Sequence, residues 1–171
     1  MSRAFVKEDA DSEDVVVTHR APLPAGVPNL VTPAGLAALE AERDAKLASL
    51  EDLKAGEVTG EATRRLAALE EELLLLLERL ASAKVSPPPD DRKLAGLGAT
   101  VRVRYLGGPQ SGQTSELSLV GVDEADPLEG RVAFVAPVAQ ALMGRREGEV
   151  VTFEAGENTL TVELESVEYP A

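Results

Sequence analysis

The chain has 171 residues, 44% of them apolar, so it can bury a core in one domain or in two small ones. It carries 30 acidic and 17 basic residues, a formal net charge of −13, and only 3% of its residues are aromatic. These values disfavour stable direct binding to nucleic acid, which needs clustered basic side chains or exposed stacking rings, and they disfavour an anionic membrane. A basic protein surface is a better partner.

Several kinds of site are excluded by residue usage. The chain has no cysteine and a single histidine, His19, so disulfides, thiolate metal sites and multi-histidine metal centres are all ruled out. The longest apolar run, Leu73 to Leu77, is far too short to span a bilayer, and no signal peptide precedes it. We therefore expect a cytoplasmic monomer that has no metal or cofactor of its own.

Residues 1–31 are predicted to form a flexible N-terminal arm that is acidic and rich in proline. Acidic side chains cluster from Glu8 to Asp14, and prolines at 22, 24 and 28 follow them. Proline at this density prevents a helix and favours an extended chain. Within the arm, Val15 to Val17 has the pattern of a short strand.

Residues 32–85 have the pattern of an antiparallel coiled-coil hairpin. Thr32 is a good N-cap, Pro33 suits the first helical position, and Gly35 is the one unfavourable residue. A first apolar stripe is predicted at Leu36, Leu39, Leu47, Leu50 and Leu53. After a break near Gly56, strict 4-3 heptad spacing predicts a second seam at Ala62, Leu66, Leu69, Leu73, Leu76, Leu80 and Ala83.

The rest of the chain is predicted to be a linker followed by a β domain. Residues 86–97 begin with three prolines and are assigned to a stiff linker. In residues 98–171 apolar residues recur at every second position, which predicts antiparallel strands. One short helix is predicted to interrupt them at Pro137 to Met143. The fold class is thus α+β, with the hairpin first and a small antiparallel β domain second.

Three segments of the β domain carry a resemblance to a known family. They are Val120 to Pro127 (VGVDEADP), Gly130 to Val132, and Ala136 to Gly144 (APVAQALMG). In this order they resemble the C-terminal domain of the Gre transcription factors, and Leu30 to Leu36 (LVTPAGL) is similar to the family's entry into its hairpin. The resemblance spans residues 30–169. It implies an FKBP-like C-terminal domain that docks on bacterial RNA polymerase beside the secondary channel, with the coiled coil projecting into that channel.

The resemblance also directs attention to the hairpin tip. In cleavage-active members, an Asp and a Glu three residues later help hold the polymerase's catalytic Mg²⁺ and a water, which suits hard carboxylate ligands. Here Asp52 stands near the family Asp, but Ala55 occupies the Glu position, and Glu57 and Glu61 are the nearest substitutes. Acidic residues at a hairpin tip also serve solubility alone. The hairpin is shorter than in the cleavage-active members by roughly 18 residues. Divided over two helices, this reduces its reach by about 13 Å.

A second departure concerns docking. Where the family presents Asp or Asn, Ser and Pro, this chain has Val135, Ala136 and Pro137. Contact with polymerase is therefore predicted to be mainly apolar and to involve these residues together with Val138 and Leu142.

The sequence leads to three functional readings. The first is a regulator that binds polymerase at the secondary channel and modulates or inhibits it without cleavage carboxylates. The second is a cleavage-stimulating factor that uses Asp52, Glu57 or Glu61 with the polymerase's Mg²⁺. The third is a coiled-coil adaptor without a polymerase role. An FKBP-like fold also raises prolyl isomerisation, but fold alone does not imply an activity, so we do not expect an enzyme.

Overall fold

The computed structural model describes residues 20–170, in which the chain forms three α-helices and two sheets. Helices α1 (Pro33–Ala55) and α2 (Gly60–Ser82) make an N-terminal hairpin, and the short strands β1 (Leu30–Val31) and β2 (Lys84–Val85) lie at its base. The β domain follows, with β3 (Thr100–Gly107), β4 (Thr114–Val120), β5 (Arg131–Ala133), α3 (Pro137–Leu142), β6 (Val150–Ala155) and β7 (Asn158–Glu168). No helix within residues 20–170 combines the length and the hydropathy that a bilayer span requires.

Both hairpin helices begin at a threonine cap. The Thr32 hydroxyl accepts a hydrogen bond from the backbone N–H of Gly35 (2.9 Å), and the Thr59 hydroxyl accepts one from Ala62 (3.0 Å). These bonds satisfy backbone donors that the first helical turn leaves unpaired. Each helix has 23 residues, and the hairpin is therefore about 34 Å long.

The seam predicted on α2 is confirmed. Leu73 and Leu76 are 8% and 0% exposed, and none of the other predicted members is classed as exposed. The stripe predicted on α1 is wrong at Leu47, which is 42% exposed. The 3-4 spacing that continues from Leu39 passes through Lys46 instead, whose side chain lies half-buried against Glu72 (Nζ to Oε2 2.7 Å).

The last part of the predicted arm belongs to the base of the hairpin. β1 pairs in parallel with β2, and Val31, 1% exposed, packs with Leu39 and Leu76. Asn29 is also buried and donates a hydrogen bond from its side chain to the carbonyl of Arg79 (2.9 Å). Asn29 and Val31 are therefore packed at the base of the hairpin, while most residues from 21 to 28 are exposed. The predicted acidic cluster and the strand-like valines at 15–17 lie outside the described residues.

In the described part of the chain the β domain has a five-stranded sheet with the order β5-β4-β3-β7-β6. Three of its strand pairs are antiparallel, as predicted, but β4 and β5 are parallel, so the sheet is mixed. The pair is parallel because residues 121–130 carry the chain back alongside β4 before β5 begins. β5 ends at Ala133, where a turn bond from Ala136 N–H to the Ala133 carbonyl (2.9 Å) leads into α3.

Helix α3 and the end of the predicted linker complete the core of the β domain. Val101, Val103, Leu119, Leu142 and Leu164 are all fully buried in this core. Ala95 and Leu97, which the sequence assigns to the linker, are only 2% and 4% exposed, and Ala95 packs in this core. The backbone at Leu94 and Ala95 also bonds to the β domain at Arg145 and Arg146, so the linker ends before Leu94.

We expect the inner seam of α2 to carry the stability of the hairpin. Leu76→Ala should lower the free energy of unfolding by about 2–4 kcal/mol, because it empties a fully buried position. Leu74→Ala is the matched control: Leu74 is 59% exposed, and its loss should cost less than about 1 kcal/mol. Urea unfolding followed by circular dichroism measures both, and equal losses would contradict the seam assignment.

Candidate functional site

The hairpin and the β domain are joined by the carboxylate of Glu124, at the loop after β4. One of its oxygens accepts hydrogen bonds from the backbone N–H groups of Gly121 (3.0 Å) and Thr32 (3.3 Å), and the other accepts one from the Thr32 hydroxyl. Thr32 is at the same time the N-cap of α1. The residue that begins the hairpin is therefore bonded directly to the β domain.

Two glycines allow this close approach. A Cβ atom at Gly35 would lie 2.2 Å from Cδ of Glu124, and a Cβ at Gly121 would lie 2.8 Å from the carbonyl oxygen of Leu30. Both distances are shorter than real Cβ contacts, so any larger residue would displace the carboxylate or the backbone. Gly35, an unfavourable residue for a helix, is thus required by the tertiary contact.

A cluster of charged side chains lies beside this contact. Arg20 donates to Asp123 (Nη1 to Oδ1 3.0 Å) and forms an ion pair with Glu42 of α1, while Arg79 of α2 lies 3.6 Å from the other Asp123 oxygen. Burial alone would lower the pKa of the Arg20 guanidinium, but its hydrogen bonds to the two carboxylates outweigh that effect and raise the pKa. The Arg20 guanidinium therefore stays charged over the working pH range.

The predicted docking segment is only partly available to a partner. Pro137 is exposed at the first position of α3, and Val135, Ala136 and Val138 are half-buried. Leu142 is fully buried in the core, so its side chain cannot contact a partner. The prediction that it takes part in docking is wrong: Leu142 lies on the inner face of α3, and the outer face of this one-and-a-half-turn helix is what a partner can reach.

The tip carboxylates are all exposed. Asp52 lies in the last turn of α1, Glu57 in the loop, and Glu61 in the first turn of α2, where it forms an ion pair with Arg65 (2.9 Å). Among residues 20–170, no three side chains from Asp, Glu, His and Cys form a group that could hold a metal ion. The tip also presents Val58, which is 94% exposed and which the sequence analysis did not single out.

Comparison with known families settles what the β domain is. The family model described as "Transcription elongation factor, GreA/GreB, C-term" matches residues 90–169. This range contains every strand of the mixed sheet, α3 and the Glu124 loop. Residues 90–169 are therefore similar to the C-terminal domain of the Gre family.

Individual relatives cover part of the chain. A transcription elongation factor GreA from Desulfovibrio desulfuricans is 39% identical over 72 residues, which are 42% of this chain and 43% of that protein. A GreA from Thermomicrobium roseum is 33% identical over 98 residues, 57% of each chain. The chain thus spans about half the length of the relatives it matches. GreA factor homolog 1 of Thermus thermophilus covers 83% of the chain at 18% identity, with a TM-score of 0.39, and that loose likeness supports no further conclusion.

The sequence pointed to some of these residues without giving them a role. Asp123 and Glu124 lie inside the segment that carries the Gre resemblance, and Thr32 and Gly35 lie inside the hairpin entry. That these two segments meet in space was not predicted. Arg20 and Arg79 were missed altogether, since isolated arginines in a proline-rich segment and on a helix give no pattern.

Gly35→Ala tests the contact that joins the Gre domain to the hairpin. Helix propensity alone predicts a gain of about 1 kcal/mol from this change. Because the new Cβ would collide with Glu124, we expect instead a loss of roughly 1–3 kcal/mol, measured by urea unfolding.

The matched control is Gly60→Ala, at the start of α2, where a Cβ would meet nothing within 4 Å. It should cause no loss of stability. In a Glu124→Ala background, Gly35→Ala should also stop being destabilising, since the colliding carboxylate is gone. A loss at Gly35 that persists in that background would contradict the clash as its cause.

Proposed function

We propose that the chain is a regulator of bacterial transcription elongation that binds RNA polymerase at its secondary channel and acts by occupying that channel. The observation that carries this proposal is the match of residues 90–169 to the GreA/GreB C-terminal family model. The relatives with the matching domain are named as transcription elongation factors. The partner and the activity of the whole chain are therefore inferred from its Gre domain and from the hairpin that precedes it.

Docking is assigned to the start of α3. Pro137 is exposed, and Val135, Ala136 and Val138 beside it are partly accessible, so they offer a small apolar surface on a rigid turn and helix end. In the Gre family, by resemblance, this segment faces polymerase. The change from two polar residues to Val135 and Ala136 favours a contact that depends on apolar burial rather than on hydrogen bonds.

The hairpin is assigned to obstruction rather than to catalysis. A paired helix hairpin about 34 Å long fills space in a channel whatever its tip residues are. Ala55 replaces the second metal-binding carboxylate of the family pattern, and an Ala side chain has no oxygen with which to bind Mg²⁺. Occupancy requires only the fold of the hairpin and its direction, both of which are supported by buried contacts at its base.

The second candidate is a factor that stimulates transcript cleavage. It is favoured by the exposure of Asp52 and Glu57, neither of which has an ion-pair partner within residues 20–170, so both are accessible to the polymerase's Mg²⁺. The third reading, an adaptor without a polymerase role, predicts no binding to polymerase at all. The following two experiments separate the three.

The first experiment tests the chemistry at the tip. A variant with Asp52→Ala, Glu57→Ala and Glu61→Ala is compared with the parent chain on stalled, backtracked elongation complexes. We expect no RNA shortening with either protein and equal slowing of elongation by both. A cleavage factor would instead shorten RNA in a Mg²⁺-dependent reaction, and the triple variant would lose roughly 100-fold or more of that rate, because misplaced ligands lose the metal-bound water.

The second experiment tests the docking segment. Pro137→Glu adds a charge at the first position of α3, where an acidic residue is compatible with the helix, so the fold should survive. We expect it to weaken polymerase binding by about tenfold or more, because a charge would be buried in an apolar contact.

The control for this experiment is Leu128→Glu. Leu128 is 98% exposed on the same domain but lies outside the docking segment, and its replacement should leave polymerase affinity unchanged. Pull-down and titration with purified polymerase measure both variants. If Leu128→Glu abolishes binding and Pro137→Glu does not, docking is assigned to the wrong surface. If the parent chain itself does not bind, the adaptor reading is the correct one.

A further inference from the structure

Arg20 contacts both halves of the molecule, although it precedes the part of the chain that resembles the Gre family. The family model begins at residue 90, and the wider resemblance begins at residue 30. The guanidinium of Arg20 nevertheless reaches Glu42 on α1 with one terminal nitrogen and Asp123 on the β4–β5 connection with the other. One side chain from outside the family-like region thus holds the hairpin and the β domain together.

The shape of the guanidinium suits this bridge. Its two terminal nitrogens point in fixed, diverging directions, so a single Arg can hold two carboxylates on different elements, which a lysine ammonium does with much less directional control. Asp123 lies between two cations, since Arg79 of α2 approaches its other oxygen at 3.6 Å. The side chains of Asp123 and Arg79 are only 8% and 9% exposed, so these charges are weakly screened by solvent.

The pocket beside Arg20 shows how the bridge connects the hairpin to the β domain. A pocket of about 360 Å³ lies beside Arg20, between the part of α1 from Ala34 to Glu42 and the loop at residues 123–126 with Arg131. Next to the contact of Glu124 with Thr32 and Gly35, the two domains therefore leave an open space. Arg20 lines the pocket and forms ion pairs on both sides of it.

We propose that Arg20 is a positioning residue that fixes the direction in which the hairpin leaves the β domain. The bonds of Glu124 to Thr32 and the ion pair between Arg79 and Asp123 attach the hairpin near its base, and attachments confined to the base restrain tilting of the hairpin only weakly. Arg20 adds an attachment farther along α1, at Glu42, which limits that motion. The segment before residue 30 is in this way part of the device that aims the hairpin. The inference concerns the free protein and does not depend on whether it binds polymerase.

The test uses the absence of cysteine from the natural sequence. Val58→Cys at the tip of the hairpin and Glu157→Cys in the turn between β6 and β7 place two spin labels on exposed positions of the two domains. Double electron–electron resonance on the full chain then reports the distribution of distances between them. We expect one narrow distribution for the doubly labelled parent and a broadened or two-peaked distribution after Arg20→Ala.

Two further variants complete the design. Arg104→Ala removes an ion pair that lies wholly within the sheet, with Glu165, and should leave the distribution unchanged. Glu42→Gln removes the hairpin side of the bridge and should broaden the distribution as Arg20→Ala does. Combining it with Arg20→Ala should add no further width, because both changes break the same connection.

The outcomes decide the proposal in either direction. A distribution that stays as narrow after Arg20→Ala and Glu42→Gln as in the parent overturns it. So does a loss of helical circular dichroism in these variants, because Arg20 would then be needed for folding and not for position. Broadening in both variants with unchanged helix content, and none in Arg104→Ala, supports it.

Discussion

The bond between Glu124 and the N-cap of α1 is the contact on which the arrangement of the molecule depends. It joins the first turn of the hairpin to the loop that follows β4, and it places a carboxylate where the unpaired N–H groups of a helix start favour negative charge. The two glycines at 35 and 121 exist at this junction because the carboxylate and the backbone need the space that a side chain would fill. The strands β1 and β2 and the charged cluster around Asp123 are built next to it.

This junction links the fold to the proposed function. A hairpin that projects from a docked domain can enter a channel only if its direction relative to that domain is defined. In the proposed function, the β domain docks through the start of α3, the hairpin supplies the length, and the contacts from Glu124 and Arg20 define the angle between them. A change in the docking surface should therefore alter the affinity for polymerase, and a change in the hairpin should alter its reach. A change in the contacts at the junction should alter the direction of the hairpin.

Sequence patterns predicted the local structure well where a single period or cap governs it. The α2 seam, the Thr32 cap, α3 and most of the strands follow from heptad spacing, capping chemistry and alternation, each of which acts over a few residues. These patterns gave wrong predictions where contacts between residues far apart in the chain determine which side chains are buried. Leu47 is displaced from the interface by Lys46, which has a partner on α2, and Leu142 is drawn into the core because it lies on the inner side of a very short helix.

By itself, the sequence determined the two-part architecture and the Gre-like character of the second part, because these depend on residue identity and on spacing along the chain. Only the tertiary structure decided that Asn29 and Val31 pack at the hairpin base, that β4 and β5 run in parallel, and that Arg20 bridges the two domains. Such features depend on pairs of residues separated by up to 103 positions. Their proximity is set by the folded chain as a whole, and no local periodicity records it.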